Sequence, residues 1–336
     1  FREQLGNDDP EFIGVQNPGG TRADFDAGDI TYQEAASILP FANTLMTTQL
    51  TGAQVKTMLE QQWQRDAAGA VPSRPFLALG LSENVTYTYD ESRAEGDRIT
   101  SITVNGEPID PAGRYTVGSG SFLISGGDNF RVIGEGVNTR DTGRVDLEAW
   151  VDWIRTQDGV SPEYARRGVS VSPLPAELTA GAPVTISVGV PQGPGPVAVD
   201  TLDIHTGTLT NTQLEAVLFL GGGTGLPVGA ASVVDGEVTA LEITVPAGTA
   251  AGTGVLELRA APSATIITIP VTVTGATTPE PTPTPKPTPS PKPTAKPDNP
   301  NKGPGKNNGV GPGGNRGNGK TGKGELNNGK GPRKNR

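Results

Sequence analysis

Apolar residues recur at helical spacing in two places. After Thr51-Gly52, residues Val55, Met58, Leu59 and Trp63 fall on one face, which predicts an amphipathic helix of about four turns and assigns them to the core. Leu147, Trp150, Val151 and Ile154 repeat the pattern, with Asp146 opening a closing helix. Alternation marks strands at Asn84–Tyr89 and Arg98–Val104, and Asn105-Gly106 is a tight-hairpin signal. Phe12-Ile13-Gly14-Val15 is strand-like, and Arg114–Gly118 leads into a stretch where Leu123 and Ile124 read as the end of a strand before Gly126-Gly127. Residues 11–172 are therefore mixed helix and strand.

The pattern changes at residue 173. Val184, Ile186, Val188 and Val190 alternate, as do Leu241, Ile243 and Val245, and later Ile267, Ile269, Val271 and Val273. Pro and Gly clusters separate the runs, lysine is absent, and residues 173–275 read as an all-β sandwich. Ala216–Val234 is free of charge, but five glycines and Pro227 interrupt it, so strand and loop are expected there and no transmembrane segment. From Thr278 to Pro297 proline alternates with Thr, Lys and Ser, the composition of an extended spacer. Residues 300–336 are Gly, Asn, Lys and Arg with almost nothing to bury, and are expected to be disordered.

Charge sharpens this division. The net charge of −9 conceals 12 Lys/Arg against three Asp/Glu in residues 276–336, so the first 275 residues carry −18 and the tail +9. An acidic body argues against nucleic-acid binding there, and the two parts are expected to meet different partners. The absence of cysteine excludes a disulfide scaffold and thiolate metal sites. Asp24, Asp26 and Asp29 lack the spacing of a calcium loop and read as a solvated turn. The chain starts at Phe1, with neither Met nor a signal peptide, as expected of a mature product or a fragment.

Candidate chemistry gathers at three glycine- or proline-marked stretches. In Ser121–Phe130, the Gly126-Gly127 turn presents the Phe122 ring and the Asp128 carboxylate near one point. A ring stacks on a flat ligand and a carboxylate accepts hydrogen bonds from vicinal hydroxyls; the plainer reading is a glycine hairpin with Phe122 in the core and Asp128 capping a turn. Asn17-Pro18-Gly19-Gly20-Thr21-Arg22 adds a glycine turn and a guanidinium suited to phosphate. Ile38-Leu39-Pro40-Phe41-Ala42-Asn43 adds a second ring and an amide.

In order and spacing, NPGGTRADFDAGDIT, ILPFAN, LTGAQVKTMLE, VNGEPIDPAGRYTVG and FLISGGDNF resemble the C-terminal substrate-binding domain of 5'-nucleotidases, over roughly residues 11–172. Residues 1–10 resemble a remnant of the family's inter-domain linker, through Glu3, Leu5, Gly6 and Asn7, although only nine residues separate Asn7 from Asn17. The resemblance implies an α+β domain that binds a nucleotide or nucleoside. Phe41 and Phe122 would clamp the base, Asn43 would bond its edge, and Asp128, on the Gly126-Gly127 turn, would hold ribose hydroxyls. Arg22 with Asn17, Gly19 and Gly20 would hold phosphate or the polar wall, and Pro18 departs from the commoner glycine.

The family hydrolyses phosphate esters with two divalent metals held in an N-terminal domain. With one histidine, His205, and no P-loop or Ser-His-Asp set, this chain is expected to carry no catalytic residues, metal ligands or cofactor of its own. The segment 245–258 resembles the penultimate hairpin of bacterial immunoglobulin-like surface domains. The expectation is thus the nucleotide-recognition part of an exported, cell-wall-associated hydrolase, with the basic tail free for an anionic wall polymer or, equally, for nucleic acid. The rival reading is a non-catalytic surface protein that keeps a nucleotidase-like domain as a scaffold.

Overall fold

The computed structural model describes residues 1–6, 9–191, 201–204 and 209–275. These lie within one compact unit, Phe1–Pro279. His205 and the proline spacer and basic tail from residue 276 onward fall outside the described residues.

The first part runs α1 (Arg2–Leu5), β1 (Ile13–Gln16), α2 (Tyr32–Ile38), β2 (Thr44–Thr51), α3 (Gly52–Glu60), β3 (Gly80–Leu81), β4 (Val85–Tyr89), β5 (Ile99–Val104), β6 (Glu107–Pro108), β7 (Arg114–Gly120), α4 (Ser121–Ile124), β8 (Val137–Val145) and α5 (Asp146–Arg155). The second part is strand throughout: β9 (Gly168–Ser172), β10 (Glu177–Thr179), β11 (Pro183–Val188), β12 (Gln213–Leu220), β13 (Leu226–Ser232), β14 (Val238–Thr244), β15 (Gly252–Ala261) and β16 (Thr265–Thr274).

Local sequence explains most boundaries. Thr31 and Thr51 each form a capping box, with Glu34 and Gln54 respectively, so α2 and α3 start where the N–H groups of both box residues are satisfied. Asn105 and Gly106 take positive φ values of 53° and 80°, the geometry a tight hairpin turn requires. The helix after Thr51 is shorter than its spacing suggests. It ends at Glu60, and Trp63 lies beyond it in an extended strap bridged to Phe76. Two backbone bonds reward the early exit: Gln64 N–H donates to Pro75 O at 2.8 Å, and Leu77 N–H to Gln62 O at 2.9 Å. Leu123 and Ile124 likewise do not end a strand. β7 stops at Gly120, and both side chains are buried from the one-turn helix α4.

Three sheets result. One is mixed, in the order β3-β1-β7-β2-β8, with β1 and β7 parallel and β2 antiparallel to β7. Its core joins Ile13, Leu50, Val55, Met58, Leu59, Val117 and Phe130. A second five-stranded sheet has the order β10-β16-β15-β12-β13. The third, β14-β11-β9-β4-β5-β6, runs across residue 172 and takes strands from both sides of it. Ile186, Val188, Leu241 and Ile243 of this sheet meet Leu214, Leu256, Leu258 and Ile269 of the second in one apolar core.

β4 is therefore buried along its whole length. Val85, Tyr87 and Tyr89 join the first core. Thr86 and Thr88 face the other way and bond Thr103, Thr100 and Ser101 through their hydroxyls, while Thr268 N–H donates to Thr86 Oγ1.

The shared sheet has a testable consequence. Ile269 is fully buried on β16, and Ile269→Ala is expected to cost about 2–5 kcal/mol. All three tryptophans precede residue 160. In urea titrations their fluorescence transition should nonetheless shift together with the β-sheet circular dichroism signal; a shift of the latter alone would show that the two parts unfold independently.

Candidate functional site

The mixed sheet brings three distant segments to one edge. β1 and β7 are parallel neighbours, with Ile13 opposite Val117 and Gly14 opposite Gly118, so the loops that follow them leave side by side. Leu45 lies opposite Gly120 on antiparallel β2, which delivers the residues preceding β2 to the same edge. The turn at Asn17–Gly20, the segment Phe41–Asn43 and the stretch Ser121–Asp128 therefore converge. The close approach of β1 and β7 needs small residues, since a Cβ on Gly118 would lie 2.2 Å from the Phe12 ring.

Asn17 is buried and donates from Nδ2 to Asp128 Oδ2 at 2.7 Å, across 111 residues. Gly19 lies against the same carboxylate, where a Cβ would stand 3.3 Å from Asp128 Oδ2. At Gly20, an added Cβ would meet Gln16 Nε2 at 2.2 Å, so the second glycine of the turn is equally enclosed. Arg22 donates from Nη1 to Gly19 O at 3.4 Å, and its guanidinium carbon lies 5.9 Å from the centre of the Phe41 ring. At Gly127, an added Cβ would meet the Phe122 ring at 2.6 Å, so the ring lies over this glycine. Asn43, Ser121, Phe122, Ser125, Gly126 and Gly127 line one open hollow of about 480 Å³.

The contacts form a circuit: Phe41 to Arg22, Arg22 to Gly19, Gly19 to Asp128, and Gly127 to Phe122, which shares the hollow with Asn43. All ten residues proposed from the sequence lie on or beside it. The plainer expectation for Phe122, a core side chain, is not met, since it is 48% exposed and Phe41 56%. Among the described residues no ring contact joins the two. The Asn43 amide is already engaged, donating from Nδ2 to Asp146 Oδ2 at 3.1 Å. Asp146 is the first residue of α5 and fixes this amide as it opens the helix. The exposed Asp24, Asp26 and Asp29 stay outside the circuit, and no group of three or more metal-ligating side chains is found among the described residues.

The backbone around the circuit is unusual. Gly126, Asp128 and Asn129 have φ of 86°, 50° and 62°, and Ala42, between Phe41 and Asn43, has φ 50°. Asp and Asn tolerate this left-handed region, whereas alanine is strained in it. What pins the Asp128 loop is the strap after α3. Buried Gln64 accepts from Asn129 Nδ2 at 2.8 Å, Arg131 donates to Arg65 O at 2.8 Å, and Phe130 is fully buried beneath.

Sequence reasoning missed this support and missed Arg74. Arg74 Nη2 stands 3.8 Å from Asp128 Oδ1, on the loop that leads to Pro75. A lone arginine between prolines carries no periodic or motif signal that would reveal it.

Residues 1–135 match the family model described as "5'-nucleotidase, C-terminal domain". The match covers 135 of the 336 residues and takes in every residue of the circuit. The trifunctional nucleotide phosphoesterase protein YfkN of Bacillus subtilis is 32% identical over 163 residues, covering 46% of this chain and 11% of the relative. The NAD 5'-nucleotidase of Haemophilus influenzae is 32% identical over 154 residues, covering 42% of this chain and 25% of the relative. Among solved structures, a 5'-nucleotidase precursor from Thermus thermophilus superposes with a TM-score of 0.40 at 31% identity, over 47% of this chain and 31% of that one. The chain thus spans a quarter or less of these two curated relatives. No helix among the described residues is long and apolar enough to cross a membrane.

The first part of the chain carries one buried acid next to the strap. Burial holds the Glu60 carboxyl above the usual glutamate range, opposed by the Ile99 amide, Lys56 and Arg98. Its Oε1 accepts from Ile99 N–H at 2.6 Å. A raised folded-state pKa means the folded protein binds a proton before the unfolded chain does. As pH falls from neutral through the glutamate range, the parent should therefore gain stability relative to Glu60→Gln. Urea unfolding of both proteins over that range tests this, and a difference independent of pH would overturn it.

Proposed function

We propose that the nucleotidase domain binds a nucleotide or nucleoside, with the base between Phe41 and Phe122 and the ribose hydroxyls on Asp128. Arg22 and the Asn17–Gly20 turn receive the phosphate, and the free acceptor of Asn43 meets the base edge. The observation that carries this reading is the circuit itself. Two half-exposed rings, a hydrogen-bonded carboxylate and a loosely held guanidinium share one edge of a sheet, which gives each part of a nucleotide a chemically suited partner. The activities for which the relatives are named, nucleotide phosphoesterase and 5'-nucleotidase, support the same ligand class. In this reading the chain is the recognition part of an exported 5'-nucleotidase-like phosphoester hydrolase, whose two divalent metals belong to a catalytic domain outside this sequence.

We further read residues 173–275 as an immunoglobulin-like sandwich, supported by the two sheets that share its core, and residues 276–336 as a tether. The tail's +9 charge suits an anionic wall polymer.

Two measurements check these readings. Base–aromatic stacking contributes about 1–3 kcal/mol per base, so Phe122→Ala should weaken adenosine binding about 5- to 150-fold in calorimetry. Arg22→Ala should weaken AMP more than adenosine. Adenosine bound equally well by Phe122→Ala would remove the clamp and leave the scaffold reading. For the tail, the intact chain should be retained on isolated cell walls or a polyanionic matrix at low salt and elute as salt rises. A chain truncated after Ala276 should not be retained; equal retention would place the attachment in residues 1–276.

A further inference from the structure

We propose that Arg74 is a specificity-determining residue that exchanges partners, from Asp128 in the empty site to the ligand's phosphate in the filled one. The proposal rests on the nucleotide reading above and deepens it.

Four observations carry it. First, the pair is loose. Arg74 Nη2 lies 3.8 Å from Asp128 Oδ1, well beyond the ~2.7–2.9 Å of a charge-assisted hydrogen bond, and the Arg74 side chain is 62% exposed. A pair of this kind gives up little when it opens.

Second, Arg74 stands over the carboxylate oxygen that is still available. Asn17 takes Oδ2 at 2.7 Å, and Asp128 is only 16% exposed, so hydroxyl donors arriving at this carboxylate meet Arg74 on the way. Third, among the described residues Arg74 forms no other ion pair. Once displaced it needs a new anion, and Asp128 is the one it leaves.

Fourth, the guanidinium moves on a fixed base. The next residue, Pro75, accepts from Gln64 N–H at 2.8 Å, and Gln64 in turn holds Asn129, the neighbour of Asp128. Proline at 75 also restricts the Arg74 backbone itself. The exchange is thus confined to side-chain rotation, within reach of the turn where Arg22 stands: a Cβ on Gly19 would lie 3.9 Å from Arg74 Nη1.

A nucleoside and a nucleotide then differ in a way that Arg22 alone does not provide. Both displace Arg74 from Asp128 when their hydroxyls bind. Only the nucleotide returns an anion to it, so the exchange favours phosphorylated ribosides and penalises unphosphorylated ones.

The test is calorimetric titration of the full chain with AMP and with adenosine, for the parent, Arg74→Ala and Arg74→Lys. The AMP Kd should rise about ten-fold in Arg74→Ala, the loss expected for one charge-assisted contact. The adenosine Kd should stay the same or fall, and Arg74→Lys should retain part of the AMP preference. An unchanged ratio of the two Kd values would overturn the proposal. Equal weakening of both ligands would also overturn it, because Arg74 would then only order Asp128. A failure of the underlying reading looks different. The parent would bind neither ligand, or Phe122→Ala would bind adenosine as well as the parent, and the exchange would fall with the site.

Discussion

The site depends on the parallel pairing of β1 with β7. Two parallel neighbours must send their following loops out of the same edge, and here those loops are Asn17–Gly20 and Ser121–Asp128. Ligands of open α/β sheets bind at the carboxyl ends of strands for the same geometric reason. The pairing itself depends on glycine. Phe12 fills the space where Gly118 and Gly6 lack side chains, with added Cβ atoms meeting its ring at 2.2 Å in each case. A side chain at either glycine would push Phe12 outward and separate the loops that Asn17 and Asp128 bridge.

Holding the loops together is a second problem, solved away from the sheet. The Asp128 loop runs through three residues with positive φ, a conformation that local preferences alone do not fix. The strap Gln61–Arg65 binds it from one side and pairs with Pro75–Leu77 on the other. Helix α3 ends early because its last residues stabilise the fold more as this strap than as another helical turn. The shortened helix, the strained loop and the position of Arg74 are three results of one arrangement. Trp63 shows the same trade: outside the helix, it packs edge-on against Phe76 and Tyr89 and donates from Nε1 to Glu91 at 2.6 Å.

Features set by neighbours in sequence were legible before the structure. The Asn105-Gly106 hairpin, the alternation of Val184–Val188 and Leu241–Val245, and the helix that follows Thr51-Gly52 depend on residues a few positions apart. The glycine turns at 19–20 and 126–127 were legible as turns, and Phe122 and Asp128 as a pair near one point. Features that depend on distant partners were not. The Asn43–Asp146 bond spans 103 residues and the Asn17–Asp128 bond 111, and a lone Asn or Asp has no pattern to announce its partner. Leu123-Ile124 illustrates the same limit, because two buried apolar residues read equally well as a strand end or as one helical turn.

The six-stranded sheet across residue 172 shows why a change in composition need not be a change in structure. Composition shifts at 173 because charged residues become sparse and β-branched residues dominate, which invites a picture of two beads on a string. An alternating antiparallel strand ordinarily keeps its polar face in water. On β4 that face is Thr86 and Thr88, and β16 covers it instead. Burying hydroxyls costs free energy unless each finds a partner, and here they pair with one another and with Thr268 N–H. The threonines of β4 and β5 are therefore interface residues that look like surface residues. They let the first part of the chain keep its own apolar core on one side of the sheet while the other side is closed by strands from the second part. The site edge lies on a different sheet, β3-β1-β7-β2-β8, and none of its strands pairs with β9–β16. The second part can thus brace β4 and β5 without occupying the edge where Phe41, Phe122 and Asp128 converge.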